Sequence, residues 1–141
     1  TAGSSHSQVT LQVADPNKPF TVFTDASDRG IAGILTQSDD HGEERPLLYL
    51  SRKLNPTEER YSTIEREALA VVWTINKLKT YLYGNRFTLA TDHKPLVWLK
   101  SAGAKNNRLL RWSLSLQDFE FEVVHRKGSL HSNADGLSRL H

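Results

Sequence analysis

With 141 residues, 38% of them hydrophobic and 24% charged, the chain is long enough for one domain with a real core and too apolar for a disordered tail. It has no cysteine, which excludes a disulfide framework, thiolate–zinc sites and a cysteine nucleophile. No apolar run is long enough for a membrane span, and the opening residues predict no secretory signal. The absence of methionine, even at position 1, predicts a cut or processed piece. Net charge is only +2, but it is unevenly placed. Residues 93–117 carry Lys94, Lys100, Lys105, Arg108 and Arg111 and no acid, whereas 36–67 are acidic. A basic stretch that includes Trp98 and Trp112 is either a nucleic-acid footprint or a solvated helix surface with two core tryptophans.

Residues 1–14 are expected to be a flexible linker or cloning remnant, small and polar over 1–8, and 15–141 the domain. Asp15-Pro16-Asn17 is turn chemistry. Period-two apolar residues predict a strand over 20–25, a turn at 27–30, and a returning strand over 31–37. A polar loop at 38–44 leads to a third strand over 46–53. A long helix follows, capped either at Thr57 or at Ser62 with Glu65 at its third position. Its apolar stripe is Ile64, Ala68, Val71, Val72, Ile75, Leu78 and Leu82. Gly84-Asn85 stops it. A fourth strand is expected over 86–91, helices over 95–100 and 106–116, a fifth strand over 119–125, and a last short helix over 133–140. The order β-β-β-α-β-α-α-β-α predicts an α/β domain with a five-stranded mixed sheet and helices on its faces.

Four carboxylates occupy informative places. Asp25 and Asp92 end the first and fourth strands, Glu67 lies on the long helix, and Asp135 opens the last one. Ligands gather at strand ends in such sheets. If the first and fourth strands are neighbours, Asp25 and Asp92 approach, and a helix across the sheet brings Glu67 to the same place. A carboxylate cluster without a cation repels itself. Hard oxygen donors suit Mg²⁺, and two such ions can activate water and stabilise the leaving oxygen of a phosphodiester. Read singly, each of the four is a turn, cap or surface acid.

Seven motifs in order carry a family resemblance: 20–31 with Thr-Asp-Ala-Ser, 48–54, 60–73, 81–84, 87–96, Arg-Leu-Leu-Arg-Trp at 108–112, and Asn-Ala-Asp-Gly-Leu-Ser-Arg at 133–139. Together they resemble the ribonuclease H domain of gypsy-type (Metaviridae) LTR-retrotransposon reverse transcriptases. The resemblance implies the ribonuclease H-like fold and metal-dependent hydrolysis of RNA in RNA–DNA hybrids. It implies two Mg²⁺ ions, with Mn²⁺ as a substitute, held by Asp25, Glu67, Asp92 and Asp135. Glu67 is preferred to Glu65 because Glu-x-x-Ala at 67–70 matches the family's helix motif; Glu65 is then a surface or capping acid. The aromatic-x-Asp-Asp motif of polymerases is absent, so the implied partners are the hybrid and the polymerase portion of the parent enzyme, with no membrane. The implied place of work is a cytoplasmic virus-like particle or the nucleus.

His125, ten residues before Asp135, stands where gypsy-type domains often have Tyr. It resembles the loop histidine that assists product release in cellular and retroviral ribonucleases H; the plain alternative is a strand-end surface histidine. By analogy with retroviral domains, Ser62 and Thr63 are candidates for the 2′-OH contacts that distinguish RNA. Arg66, Arg29, Lys94, Arg126 and Lys127 are candidates for phosphate. His93 has a weaker claim. Two rivals remain. The match to Thr-Asp-Ala-Ser and the lack of a His/Cys zinc region argue against an integrase of the same fold. The presence of all four acids argues against a non-catalytic tether or host-domesticated nucleic-acid-binding module.

Overall fold

A computed structural model describes residues 6–91 and 107–125. The helices expected at 95–100 and 133–140 lie outside the described residues. Six strands form one sheet in the order β1-β4-β3-β2-β5-β6. They are β1 (His6–Thr10), β2 (Phe20–Ala26), β3 (Gly30–Ser38), β4 (Glu44–Lys53), β5 (Phe87–Thr91) and β6 (Phe121–His125). Strands β1, β4, β3 and β2 pair antiparallel, while β2, β5 and β6 pair parallel. The sheet is therefore mixed, as expected, and β2 is the strand where the two pairing modes meet.

The sixth strand, β1, raises the count above the five expected and lies within the first residues, where the sequence reading placed a linker. β1 pairs with β4 from His6–Arg52 to Thr10–Leu48. Its residues 7, 8 and 10 are exposed, so backbone hydrogen bonds hold it rather than an apolar face. Such an edge strand leaves no periodic signal. β4 begins two residues earlier than expected and contains Pro46. A register shift against β3 falls between Leu35 and Thr36, where Pro46 is taken up, which is where a strand tolerates a missing N–H.

The expected single helix is three pieces: α1 (Pro56–Glu59), α2 (Thr63–Lys77) and α3 (Lys79–Leu82). Asn55, not Thr57, caps α1, with Pro56 in the first turn and Glu58 completing a capping box. Ser62 caps α2 with Glu65 in the same reciprocal arrangement. Gly84 ends the run at φ 80, a backbone conformation that favours glycine. The buried side of α2 is Ala68–Val72, Thr74 and Ile75, and it packs over β2 and β3. Ile64 does not belong to that side; it is 59% exposed. The helix α4 (Asn107–Ser115) leans on α2 and buries Leu109.

The seat of α2 on the sheet is unusually close at one point. A Cβ placed on Gly33 of β3 would fall into the Thr74 side chain, 2.9 Å from its Cβ. Thr74 is wholly buried, and its hydroxyl finds no hydrogen-bond partner among the described residues. A buried hydroxyl without a partner costs about 1–3 kcal/mol. Thr74→Val keeps the shape and removes the orphaned group, so it is expected to raise stability by about 1 kcal/mol, read as a melting temperature roughly 3 °C higher. Gly33→Ala is expected to cost about 1–3 kcal/mol by overpacking. Thr74→Ala should recover much of that loss if the clash is between these two residues, and a denaturation double-mutant cycle would show the coupling.

Candidate active site

The carboxyl ends of the three parallel strands lie on one side of the sheet. β2 runs to Asp25 and Ala26, and β5 beside it runs to Thr91, which pairs with His125 at the end of β6. Asp25 is half-buried, and its Oδ1 accepts the Ala26 N–H at 2.9 Å. The turn after it is tied by its own backbone and by one hydroxyl. Ser27 N donates to the Gly30 carbonyl at 2.8 Å, and Ser27 Oγ accepts from Arg29 N at 3.2 Å and Gly30 N at 3.1 Å. This tight hairpin places Asp25 opposite Ala32 of β3. Asp25 also lines a cleft of about 370 Å³ that extends over β3 and β4 to Ser7 of β1.

Glu67 sits in the second turn of α2, half-buried. Ala70, one turn further on, belongs to the same apolar cluster as Ala26, the neighbour of Asp25. The start of α2 is braced from several directions. Glu65 Oε1 accepts from Ser62 N at 3.0 Å and from Ser62 Oγ at 3.1 Å, and Glu65 Oε2 accepts from Arg108 Nη1 at 2.6 Å. Arg108 also lies 4.2 Å from the centre of the Tyr61 ring, which packs on Trp112. Both Glu65 oxygens are thus engaged in holding the helix, and Glu65 is the capping acid the sequence suggested. Arg66 turns inward, donating to the Tyr61 carbonyl at 2.7 Å. The Ser62 hydroxyl serves the cap, and Thr63 is exposed.

A second pairing joins β4 to α1. The Arg52 guanidinium grips Glu58 through two hydrogen bonds of 2.7 and 2.8 Å and lies 5.7 Å from the centre of the Trp73 ring. The pair is well covered, with side-chain exposures of 17% and 12%. The bonds from Arg52 hold the Glu58 carboxyl below the usual glutamate range against the opposing effect of burial, and the Asn55 N–H adds to the lowering. Sequence reading missed this pair, although Asn55-x-x-Glu58 repeats the pattern of Ser62-x-x-Glu65. It also missed the Arg108 brace, because cross-element ion pairs have no signature in spacing.

Of the residues singled out by sequence, the acids Asp25 and Glu67 are thus located, and Asp92, Asp135, His93, Lys94, Arg126 and Lys127 lie outside the described residues. His125 is exposed at the end of β6. Among the described residues no three of His, Asp and Glu are grouped so as to hold a metal ion. The donors present are carboxylate oxygens in a chain without thiols, a donor chemistry that fits Mg²⁺ rather than a soft metal.

Residues 15–119 match the family described as the RNase H-like domain found in reverse transcriptase. The chain is 42% identical over 124 residues to the retrovirus-related Pol polyprotein from transposon opus of Drosophila melanogaster, covering 87% of this chain and 12% of that polyprotein. It is 39% identical over 132 residues to the corresponding polyprotein from transposon gypsy of the same organism, covering 93% and 12%. Among solved structures, the foamy viral protease-reverse transcriptase in complex with dsDNA superposes with a TM-score of 0.68 at 18% identity, over 83% of this chain and 25% of that one. RNase H1 from Halobacterium salinarum NRC-1 superposes at 0.57 with 16% identity, over 84% and 93%. The chain belongs to the ribonuclease H-like domains of reverse transcriptases, of gypsy type, and it has the ribonuclease H fold. It spans about an eighth of the length of these curated relatives.

The Arg52–Glu58 pair gives the fold a pH dependence of known sign. Because the Glu58 carboxyl is depressed in the folded state, the pair's contribution is complete above the unfolded value of about 4.3 and is lost as pH falls through the lower folded value. Glu58→Gln is expected to cost about 1.5–3 kcal/mol at pH 7, the range of hydrogen bonds to charged groups. The gap to the natural protein should narrow below about pH 4.3 in urea titrations. A gap that stays constant to pH 2 would show that the pair does not titrate with folding.

Proposed function

We propose that this domain cuts the RNA strand of RNA–DNA hybrids endonucleolytically during reverse transcription of an LTR retrotransposon. The observation that carries the reading is the position of Asp25. It ends β2 at the junction of parallel and antiparallel pairing, and the parallel neighbour β5 ends one residue before Asp92 in the sequence. Junctions of this kind, at the carboxyl ends of strands, are where ligands bind in open α/β sheets. The engagement of Glu65 in the cap and with Arg108 supports Glu67 as the helix's contribution to the site.

In this reading Asp25, Glu67, Asp92 and Asp135 hold two Mg²⁺ ions, with Mn²⁺ as a substitute. Bound there, the ions supply an activated water and charge stabilisation for the leaving oxygen. Asp25 and Asp92 would bind metal directly, Glu67 would hold the first metal and help to place the water, and Asp135 would complete the second site. His125 lies at the same end of the sheet, paired with Thr91 of β5, and its imidazole nitrogens can donate or accept a hydrogen bond. It serves the departing ribose oxygen and speeds product release. Ser62, Thr63 and Arg66 lie at the start of α2 and contact the substrate backbone there. The polymerase portion of the parent enzyme supplies the rest of the grip on the hybrid.

Asp25→Asn removes a charge with almost no change of volume. It is expected to lower hybrid cleavage by at least about a thousandfold while the protein stays folded, and Glu67→Gln should do the same. Glu65→Gln should retain activity and lose stability instead. Cleavage should need Mg²⁺ or Mn²⁺, stop with chelator, and spare duplex DNA. Full activity in Asp25→Asn would show that the site is wrongly placed, and no cleavage by the natural protein with either ion would leave a non-catalytic tether.

His125→Ala is expected to lower kcat about ten- to a hundredfold, the low end of acid–base effects, with little change in hybrid affinity. Single-turnover and steady-state rates measured side by side would place the loss in release rather than in chemistry. An unchanged kcat would make His125 a plain strand-end residue.

A further inference from the structure

The cleft beside Asp25 is built by the register of four strands. Asp25 pairs with Ala32, Ala32 with Ser51, and Ser51 with Ser7. These side chains make one row across the sheet, on the face that Phe23 and Tyr49 share and away from α2. Ala32 and the two serines are small, so the row is a low floor, and half-buried Tyr49 stands beside it. From Asp25 to Ser7 the row crosses three interstrand gaps, about 14 Å at the usual sheet spacing. That is room for a short run of one nucleic-acid strand but not for a duplex laid flat.

The chemistry of the lining is that of a polar, extended ligand with negative charge. The hydroxyls of Ser7, Ser51 and Tyr49 make no hydrogen bond among the described residues, although all three line the cleft. Of the two basic residues on its wall, Arg52 is taken by Glu58. Lys53 is exposed and makes no ion pair among the described residues, and neither does Arg29 on the adjoining turn. The cleft thus offers one carboxylate at its inner end, then donor–acceptor hydroxyls, with unneutralised cations at its rim.

We propose that this cleft holds the RNA strand of the hybrid on one side of the cut. The inference rests on the hybrid-cleaving reading. With Asp25 at the scissile phosphate, the strand that continues into the cleft is the strand being cut. A ribose 2′-OH is both donor and acceptor, as are the serine and tyrosine hydroxyls that await it. Lys53 meets a phosphate, a contact that positions the strand without reading its bases. The cleft therefore extends recognition of ribose away from the start of α2 to a second surface, formed partly by the edge strand β1.

Two variants and one set of substrates test this. Ser51→Leu raises the floor of the cleft without changing any charge, and Lys53→Gln removes the cation. Hybrid binding is measured in Ca²⁺ across salt, and cleavage in Mg²⁺. The hybrids carry single 2′-deoxy substitutions at successive positions on either side of the cut. Ser51→Leu is expected to weaken binding about tenfold, the loss of one or two hydrogen bonds. Lys53→Gln should lower the slope of log K against log salt by about one, the signature of one phosphate contact. In the natural protein, deoxy substitution on one side of the cut should reduce kcat/KM several-fold, and Ser51→Leu should be blind to it. Natural binding and salt slope in both variants would overturn the proposal. A changed salt slope without any effect of deoxy substitution would overturn it too, because the DNA strand would then occupy the cleft. Failure of the natural protein itself to cut hybrid would instead remove the hybrid-cleaving reading, an outcome that neither variant can mimic.

Discussion

The distance between α2 and the sheet at Gly33 governs how the rest of the domain can be arranged. Gly33 presents backbone alone to Thr74, so the helix lies lower over β3 than any side chain at that position would allow. The same buried face carries the small residues Ala68 and Ala70, with Val71 and Ile75 buried beside them. Close-packed interiors pass displacements on rather than absorbing them. A helix lifted here would carry its first two turns with it, and those turns hold both the capping acid Glu65 and the candidate ligand Glu67. The Thr74 hydroxyl, without a partner among the described residues, is not what seats the helix: the shape of the side chain against Gly33 does that, and valine would supply the same shape.

Above that seat, the acids of the region divide into two groups by their neighbours. Glu58 and Glu65 each close a capping box and each accept from an arginine, Arg52 from the sheet and Arg108 from α4. Each guanidinium also covers an aromatic ring. The sheet and α4 are thereby tied to α1 and to the start of α2. Structural acids are matched by their own cations nearby, so the braces themselves add little net charge where Asp25 and Glu67 stand.

Much of this was legible in the residues. The first and last of the expected strands alternate apolar residues, those between them are short apolar runs bounded by turn residues, and the Ser62–Glu65 box marks the start of α2. Asp25 was readable as the last polar residue of an apolar strand. What was not legible has common causes. β1 is held by ladder bonds and shows no apolar face, so its sequence looks like a linker. Ile64 fits the helical period but falls on a side of α2 that no element among the described residues covers. Leu78 continues the apolar stripe and its N–H still reaches the Thr74 carbonyl at 3.0 Å, while its backbone, at φ −95 and ψ 14, leaves the helical conformation and divides α2 from α3. The cleft depends on register between strands distant in sequence, and a register is invisible until the strands are paired.

The division of the sheet at β2 also sets an order of assembly. β2, β3 and β4 are joined by short turns, so their ladder closes small loops at low entropic cost. β5 and β6 reach the sheet only after long excursions through helical segments, and parallel pairings of that kind form slowly. β2 is the last strand of the early half and the template for the late one. Asp25, at its end, is therefore placed in the hairpin before its parallel neighbour arrives. A chain caught between these stages would hold the hairpin and one carboxylate, with the opposite edge of β2 open to any passing strand. The same strand that organises the candidate site is the point at which folding of this domain is most exposed to error.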